Sequence, residues 1–510
     1  MPTTTLNPGV STRAAGPGAG SPAAWWRSPA RVVAPIVIAV AALCGRLVPV
    51  LAGGGLSGRD TYDPYVYYGG AVALSAGRLP YRDFLLLHPP GILLVLQPFA
   101  VLGAVAGDAV GMAAARLAFM SMGAASAVLV YQLLRRHGQA GALVGSGLYA
   151  VWFPAFYVER DVRLEAVSSL VLLLGLAAVA RLERGRGRRL GWAAGAGALV
   201  GFTVVVKVWG VVPLTVLLGW LFVRYGVRAA AAALAGAAGV IAAVMVPFAT
   251  AAPNWLQLIV FDQLGRSRDP RGWDYRLLGM IGLGPVPPVA AGACLVAGCV
   301  LTVAALALGC RTPLGRLHAA LAVAGGAVLL AGPTWYPHYP AFIAAPLCLL
   351  YGNAAGVVLG WIRQGWAHRA ASAAVATLLA AALVTLVGQS AGLRFPGARL
   401  AAALEGRDGC VTSDRTAALV LTGSLRRNLA RGCPVVVDIQ GYKFIGQSGD
   451  RSGAETRGRY QRLLVDYLAT GSSAILVRQR PAGLEPALRD RVLAWPVVGQ
   501  AGRYQVRATR

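Results

Sequence analysis

The chain has 510 residues, a mean hydropathy of +0.60, 56% hydrophobic residues and only 13% charged ones. Soluble globular domains carry about a quarter of their residues charged, so this composition excludes a soluble protein. The net charge of +27 is no argument for nucleic acid: in so apolar a chain, Arg at the ends of hydrophobic runs meets anionic headgroups and fixes topology.

Residues 1–30 are rich in Gly, Pro, Ser and Thr and read as a disordered cytoplasmic N-terminus. They carry no signal-peptide cleavage pattern, so the first apolar run is expected to be retained. Long apolar runs recur from residue 32 to 391, several long enough to cross a hydrocarbon core of ~30 Å. The residues from Gly392 onward hold 19 of the 47 basic and 9 of the 20 acidic residues. The expected division is therefore 1–30, a membrane region 31–391 and a soluble domain 392–510. Lys is confined to Lys207 and Lys443 while Arg, Ala and Gly abound, the coding habit of a GC-rich genome and a pointer to an actinobacterial source.

The excess of Arg in cytoplasmic loops fixes orientation. Arg13, Arg27 and Arg31 precede the run 32–52, so that run leads outward. Arg135, Arg136 and His137 must return inside, which the run 109–134 accomplishes. The stretch 89–105, opening His88-Pro89-Pro90-Gly91, is short and reads as a juxtamembrane or re-entrant helix. Spans then alternate at 140–157, 164–181, 191–206, 208–223, 229–249, 286–310, 317–332, 339–362 and 371–391. The expectation is an all-α polytopic membrane protein of about eleven helices, with a small C-terminal extracytoplasmic α/β domain. In that domain Cys410–Asp414, Pro434–Asp438 and Ala474–Val477 read as strands, and Thr416–Leu429 and Arg457–Ala469 as helices.

On this topology ten of the eleven acidic residues before Gly392 fall at the outer face, and only Glu183 lies inside. Acids contribute little to topology, so a polar site on the outer face explains the asymmetry. Asp60 and Asp63, three apart in Arg59-Asp60-Thr61-Tyr62-Asp63-Pro64-Tyr65-Val66-Tyr67-Tyr68, could share a helical face. The tyrosines suit a sugar-binding wall and equally an interfacial aromatic belt. Asp83 and His88 follow in the same loop. The cluster Glu159-Arg160-Asp161-Val162-Arg163-Leu164-Glu165 packs five charges into seven residues, as a solvated salt-bridge cluster or as Arg160 and Arg163 poised for phosphate. Arg46 and Arg116 lie within apolar runs, to snorkel or to serve a site. Lys207 separates two spans, and His338 sits in Trp335-Tyr336-Pro337-His338-Tyr339-Pro340. No metal-ligand spacing or phosphate-cradling glycine loop occurs, so neither a metal nor another cofactor is indicated.

Five cysteines lie in apolar runs and read as small buried hydrophobes. Cys410 and Cys433 stand alone in the C-terminal domain and suit a disulfide if that domain is extracytoplasmic, its loop contributing roughly 3 kcal/mol.

These residues resemble the GT-C superfamily of integral membrane glycosyltransferases. The likeness rests on the acidic first outer loop, the Gly-x-x-Pro-Tyr-x-Asp-Phe stretch at Gly77–Phe84, and the Pro-Pro-Gly that opens a helix. It continues in Ala115-Arg116-Leu117 and in His338-Tyr339 before a late span. Within the superfamily it is most similar to actinobacterial members of glycosyltransferase family 87. The resemblance implies transfer of a sugar from a polyprenyl-phosphate donor to an extracytoplasmic cell-envelope glycan or glycolipid, with mannose or arabinofuranose as the sugar. It implies a first-loop carboxylate as base: Asp63, four residues before Tyr67, ranks just ahead of Asp60. Arg160, Arg163, Lys207, Arg116 and His338 are the candidates for the donor phosphate. Tyr67, Asp83, His88, Glu159 and Asp161 are the candidates for sugar or acceptor. A transporter or flippase of a polyprenyl-linked sugar, and a non-catalytic envelope assembly protein, are the competing classes; the first calls for midplane charges and internal repeats, and the sequence has no repeat.

Overall fold

The computed structural model describes residues 29–58, 61–136, 138–185, 189–282, 286–362, 365–388, 394–446, 454–478 and 483–509. Asp60 and most of the N-terminal stretch lie outside the described residues. Among the described residues ten helices are long and apolar enough to cross a membrane, from Val32–Ala52 to Arg369–Gly388. Gln139–Val151 and Phe153–Glu159, bent by 56°, form an eleventh if taken as one broken span. Gly91–Ala106 is a shorter apolar helix, as its length predicts.

Backbone polar groups have no water to bond in hydrocarbon, so apolar segments of this length satisfy them internally as helices. Small residues bring the helices together. A side chain at Gly91 would meet the Val205 carbonyl oxygen at 2.4 Å, so Pro-Pro-Gly is the close-approach point of helix Gly91–Ala106 on the end of helix Arg189–Val206. Gly197 likewise admits the backbone of Ala233 at the Gly/Ala-rich span. Val296, Val300, Leu378 and Val384 stay exposed, an apolar surface suited to lipid.

The C-terminal region carries a four-stranded sheet of order β1-β2-β4-β3, with β1 Val411–Ser413, β2 Ser473–Val477, β3 Val497–Ala501 and β4 Tyr504–Ala508. β1 runs parallel to β2 with Val411 beside Ser473; β4 runs antiparallel to β2 and β3. The expected helix over 416–429 is two, Thr416–Leu421 and Ser424–Ala430, parted at Gly423, where φ is +68°. The expected strand Pro434–Asp438 is not one. Pro434 brings no N–H to a ladder, the Thr416 hydroxyl donates to the Val437 carbonyl, and the segment is not among the four strands of the sheet.

One apolar core runs from Tyr65, Phe84 and Leu93 of the helical region to Leu425, Val437 and Val506 of the C-terminal region. Arg426 fastens the same junction: its Nε and Nη2 donate to Asp108 Oδ1 at 2.9 and 2.7 Å, and Tyr68 Oη donates to the same oxygen at 3.0 Å. Cys410 and Cys433 form a disulfide.

Candidate active site

Alternating helix directions gather at one end of the bundle the start of Asp63–Ser75, the turn at His88, the junction before Leu164, the break at Lys207 and the segment before Tyr339. A cavity of about 390 Å³ opens there. Asp63, Tyr67, His88, Lys207 and His338 line it from the helical region, together with Tyr62, Arg266, Tyr336 and Tyr339. Asp438, Gln440, Gly441, Lys443 and Phe444 line it from the C-terminal region.

Asp63 opens a helix, with Pro64 in the first turn. Pro there costs no intrahelical bond, and the helix N-terminus favours a carboxylate. The Asp63 side chain is 34% exposed, hence within reach of a ligand, and its Oδ2 accepts from Arg163 Nη1 at 2.8 Å. The same Nη1 stands 3.3 Å from His338 Nδ1. Burial first, then the Arg163 and Lys207 cations, hold the His338 pKa well below its ordinary value. A neutral imidazole accepting at Nδ1 keeps its proton on Nε2. His88 is held neutral in the same way, by burial and then by Lys207 and Arg266, and its ring meets Tyr67 edge-on at 5.8 Å.

Lys207 is the extended residue that separates two helices. Its ammonium donates to Glu165 Oε1 at 2.6 Å and lies 4.1 Å and 4.5 Å from the ring centres of Trp209 and Tyr339. Three contacts fix its position beside the cavity.

Arg266, in the loop that follows helix Asp262–Leu264, stands 4.0 Å over the ring of Phe444, and its buried Nε has no hydrogen-bond partner among the described residues. No motif singled it out in the sequence, where it lies between the expected spans 229–249 and 286–310. Asp438 was also missed as a site residue, although an acid ending an expected strand in an α/β domain is where ligands commonly bind.

Other expected residues make contacts within the protein. Arg116 Nε donates to Asp161 Oδ1 at 2.9 Å, and its Nη1 reaches the Leu56 carbonyl, which ties down the segment leading to Asp63. Arg46 Nε and Tyr149 Oη donate to the two oxygens of Glu159, at 2.8 and 2.5 Å. Arg160 is buried with its guanidinium over Tyr157 at 5.1 Å. Asp83 accepts from Arg82 and from the Leu79 N–H at 2.7 Å. It fastens the tight turn in which Tyr81 takes φ +69°. Arg116, Glu159, Asp161, Arg160 and Asp83 do not line the cavity. Among the described residues no group of three or more His, Cys, Asp or Glu is placed to hold a metal ion.

Residues 86–333 match Glycosyltransferase family 87. That stretch includes His88, Lys207 and Arg266 and stops short of Asp63 and His338. The whole architecture is similar to that of ArnT from Cupriavidus metallidurans in the apo state: TM-score 0.61, 13% identity, 94% of this chain and 98% of that one. The chain has the GT-C membrane fold. The same ArnT bound to undecaprenyl phosphate aligns with a TM-score of 0.60 at 15% identity, over 95% of this chain and 99% of that one. The oligosaccharyltransferase AglB from Archaeoglobus fulgidus, in complex with an inhibitory peptide and a dolichol-phosphate, aligns with 0.56 at 13% identity, over 88% and 70%. At these identities the likeness is one of fold. No curated protein sequence matches the chain. Asp63, His88, Lys207, Arg266 and His338 are the charged and imidazole side chains that the helical region brings to this cavity.

Proposed function

We propose that the protein transfers a sugar, mannose or arabinofuranose, from a polyprenyl-phosphate donor to an extracytoplasmic glycan or glycolipid acceptor, with inversion and with Asp63 as general base. The observation that carries this reading is Asp63, reachable and held by Arg163, in one cavity with Lys207, Arg266 and neutral His338. A lipid monophosphate is a good leaving group, so one base suffices. Asp63 takes the proton of the acceptor hydroxyl as its oxygen attacks the anomeric carbon, and the phosphate departs on the opposite side. Lys207 and Arg266, fixed before the substrate arrives, receive the developing phosphate charge, and His338 donates from Nε2.

Two GT-C neighbours are bound to undecaprenyl phosphate and dolichol-phosphate, which supports a polyprenyl donor here. An apolar cavity of about 370 Å³, lined by Leu277, Met280, Val303, Leu306, Leu330 and Leu347 among others, offers its tail a seat between helices. The Arg-rich loops near residues 135 and 181–189 argue for a cytoplasmic N-terminus and an extracytoplasmic site. The Cys410–Cys433 pair argues for an oxidising compartment around residues 392–510.

The test is sugar transfer in proteoliposomes from radiolabelled polyprenyl-phosphate-mannose and polyprenyl-phosphate-arabinose, with wild type, Asp63→Asn and Asp60→Asn. Transfer that Asp63→Asn abolishes supports the reading. Transfer that only Asp60→Asn abolishes moves the base to Asp60, and no transfer from either donor sinks the choice of sugars.

A further inference from the structure

The catalytic groups just assigned all come from the helical region, yet the C-terminal region forms one wall of the same cavity. Asp438 is its acidic member. The Asp438 carboxylate is aimed through one oxygen only: Tyr62 Oη and the Gly441 N–H each donate to Oδ1 at 2.8 Å. The Gln440 N–H donates to Tyr62 Oη at 2.5 Å, which fixes the tether in turn. Oδ2 accepts no hydrogen bond from any described residue. Tyr62 directly precedes Asp63, so the tether joins the C-terminal carboxylate to the residue before the base.

Charge sorts the cavity. Lys207, Arg266 and Lys443 suit a phosphate, whereas the carboxylates Asp63 and Asp438 repel one. A carboxylate with a vacant acceptor oxygen suits a hydroxyl donor. Burial, with Asp63 adding to it, holds the Asp438 carboxyl up to about 6, so it is an acceptor at neutral pH.

We propose that Asp438 is a specificity-determining residue for the acceptor: Oδ2 accepts a hydrogen bond from a second hydroxyl of the sugar whose neighbouring hydroxyl Asp63 deprotonates. The inference rests on the glycosyltransferase reading above. It makes the acceptor a polyol, in which two hydroxyls are read together, and it gives residues 392–510 a part in substrate choice.

The test uses the full chain in nanodiscs, as wild type, Asp438→Ala and Asp438→Asn. In transfer assays the acceptor KM of Asp438→Ala will rise about tenfold or more, the scale of one hydrogen bond to a charged group, while donor KM and kcat stay within about twofold. An acceptor lacking the recognised hydroxyl will lose as much with wild type and nothing further with the variant. A purely structural role would move donor KM and kcat as well, or leave the acceptor KM unmoved; either result overturns the inference. Should Asp438→Ala misfold, Asp438→Asn will show the same split with a smaller rise, and an unchanged acceptor KM there overturns it too.

A second measurement separates this inference from the reading beneath it. Saturation-transfer NMR with methyl α-mannopyranoside and methyl α-arabinofuranoside detects glycoside binding without any donor. Binding by wild type that Asp438→Ala abolishes upholds the site even if no polyprenyl-phosphate sugar is consumed, in which case the transferase reading fails alone. No binding of either glycoside by wild type, or binding that the variant retains, overturns the Asp438 inference.

Discussion

Asp63 Oδ2 and Arg163 Nη1 meet at 2.8 Å across 100 residues of chain. The contact joins the start of the helix Asp63–Ser75 to the turn before Leu164, and it aims the carboxylate while no described residue donates to its other oxygen. Asp63→Asn keeps the shape and loses the proton acceptor. Its turnover will fall by about a hundredfold or more, the scale of general base catalysis, with membrane insertion and melting temperature near wild type. Arg163→Ala will also lose turnover, because the carboxylate is no longer held. Since the two act as a unit, the double variant will be little worse than Asp63→Asn alone. Additive losses in single-turnover assays would show that they act separately.

Lys207 and Glu165 are a buried pair, their side chains 5% and 2% exposed. Removing one partner strands the other charge, at a cost of about 3–5 kcal/mol. Lys207→Met will therefore melt well below wild type and bind donor poorly. Lys207→Met with Glu165→Gln will recover much of the stability and none of the donor affinity. Recovery of both would mean that Lys207 is structural, and donor KM read beside thermal unfolding decides between the two.

Arg426 is the clamp between the helical and C-terminal regions. Its loss leaves the buried Asp108 with Tyr68 Oη as its side-chain donor. Arg426→Ala will weaken docking by about 1–3 kcal/mol, the cost of an underpaired buried polar group. Limited proteolysis should show the region after residue 394 cut faster, and Arg426→Lys should restore only part of the protection, because one ammonium cannot replace a forked guanidinium. Equal cutting of Arg426→Ala and wild type would place the docking energy in the shared apolar core instead.

The helical architecture was legible because a bilayer leaves the backbone few options: long apolar runs broken by Arg-rich loops mark the spans. Asp63, Tyr67, His88, Lys207 and His338 were legible for a related reason, as polar residues crowded between such runs. Sequence does not distinguish a charge that meets a ligand from one that meets another charge. Arg116 finds Asp161 45 residues away and Arg46 finds Glu159 at 113, so each of these two charges meets a carboxylate of the same chain. Arg266 and Asp438 were hidden for another reason. Arg266 lies in irregular chain and Asp438 ends a segment that reads as a strand and is not one, and only tertiary packing carries each to the cavity. β3 and β4 were missed because two five-residue strands around Gly502 leave too short a pattern to read.

The Asp438 carboxyl gives the protein a measurable pH signature. Burial, with Asp63 adding to it while the hydrogen bonds from Tyr62 and Gly441 and the Arg266 cation oppose it, raises the pKa from its ordinary 3.8 to about 6. Between those values the folded protein holds a proton that the unfolded chain has released. The contribution of this group to stability is therefore complete below about pH 4 and is lost as pH rises through 6. Asp438→Asn cannot lose that proton, while its carbonyl oxygen keeps the bonds from Tyr62 and Gly441. Other carboxylates titrate alike in both proteins and cancel in the comparison. The two will melt together near pH 4, and the variant will melt higher at pH 7.5, with the divergence centred between pH 4 and 6. A constant difference across that range would show that Asp438 ionises in the folded protein as it does in the unfolded chain, and that its recess in the cavity wall is open to water.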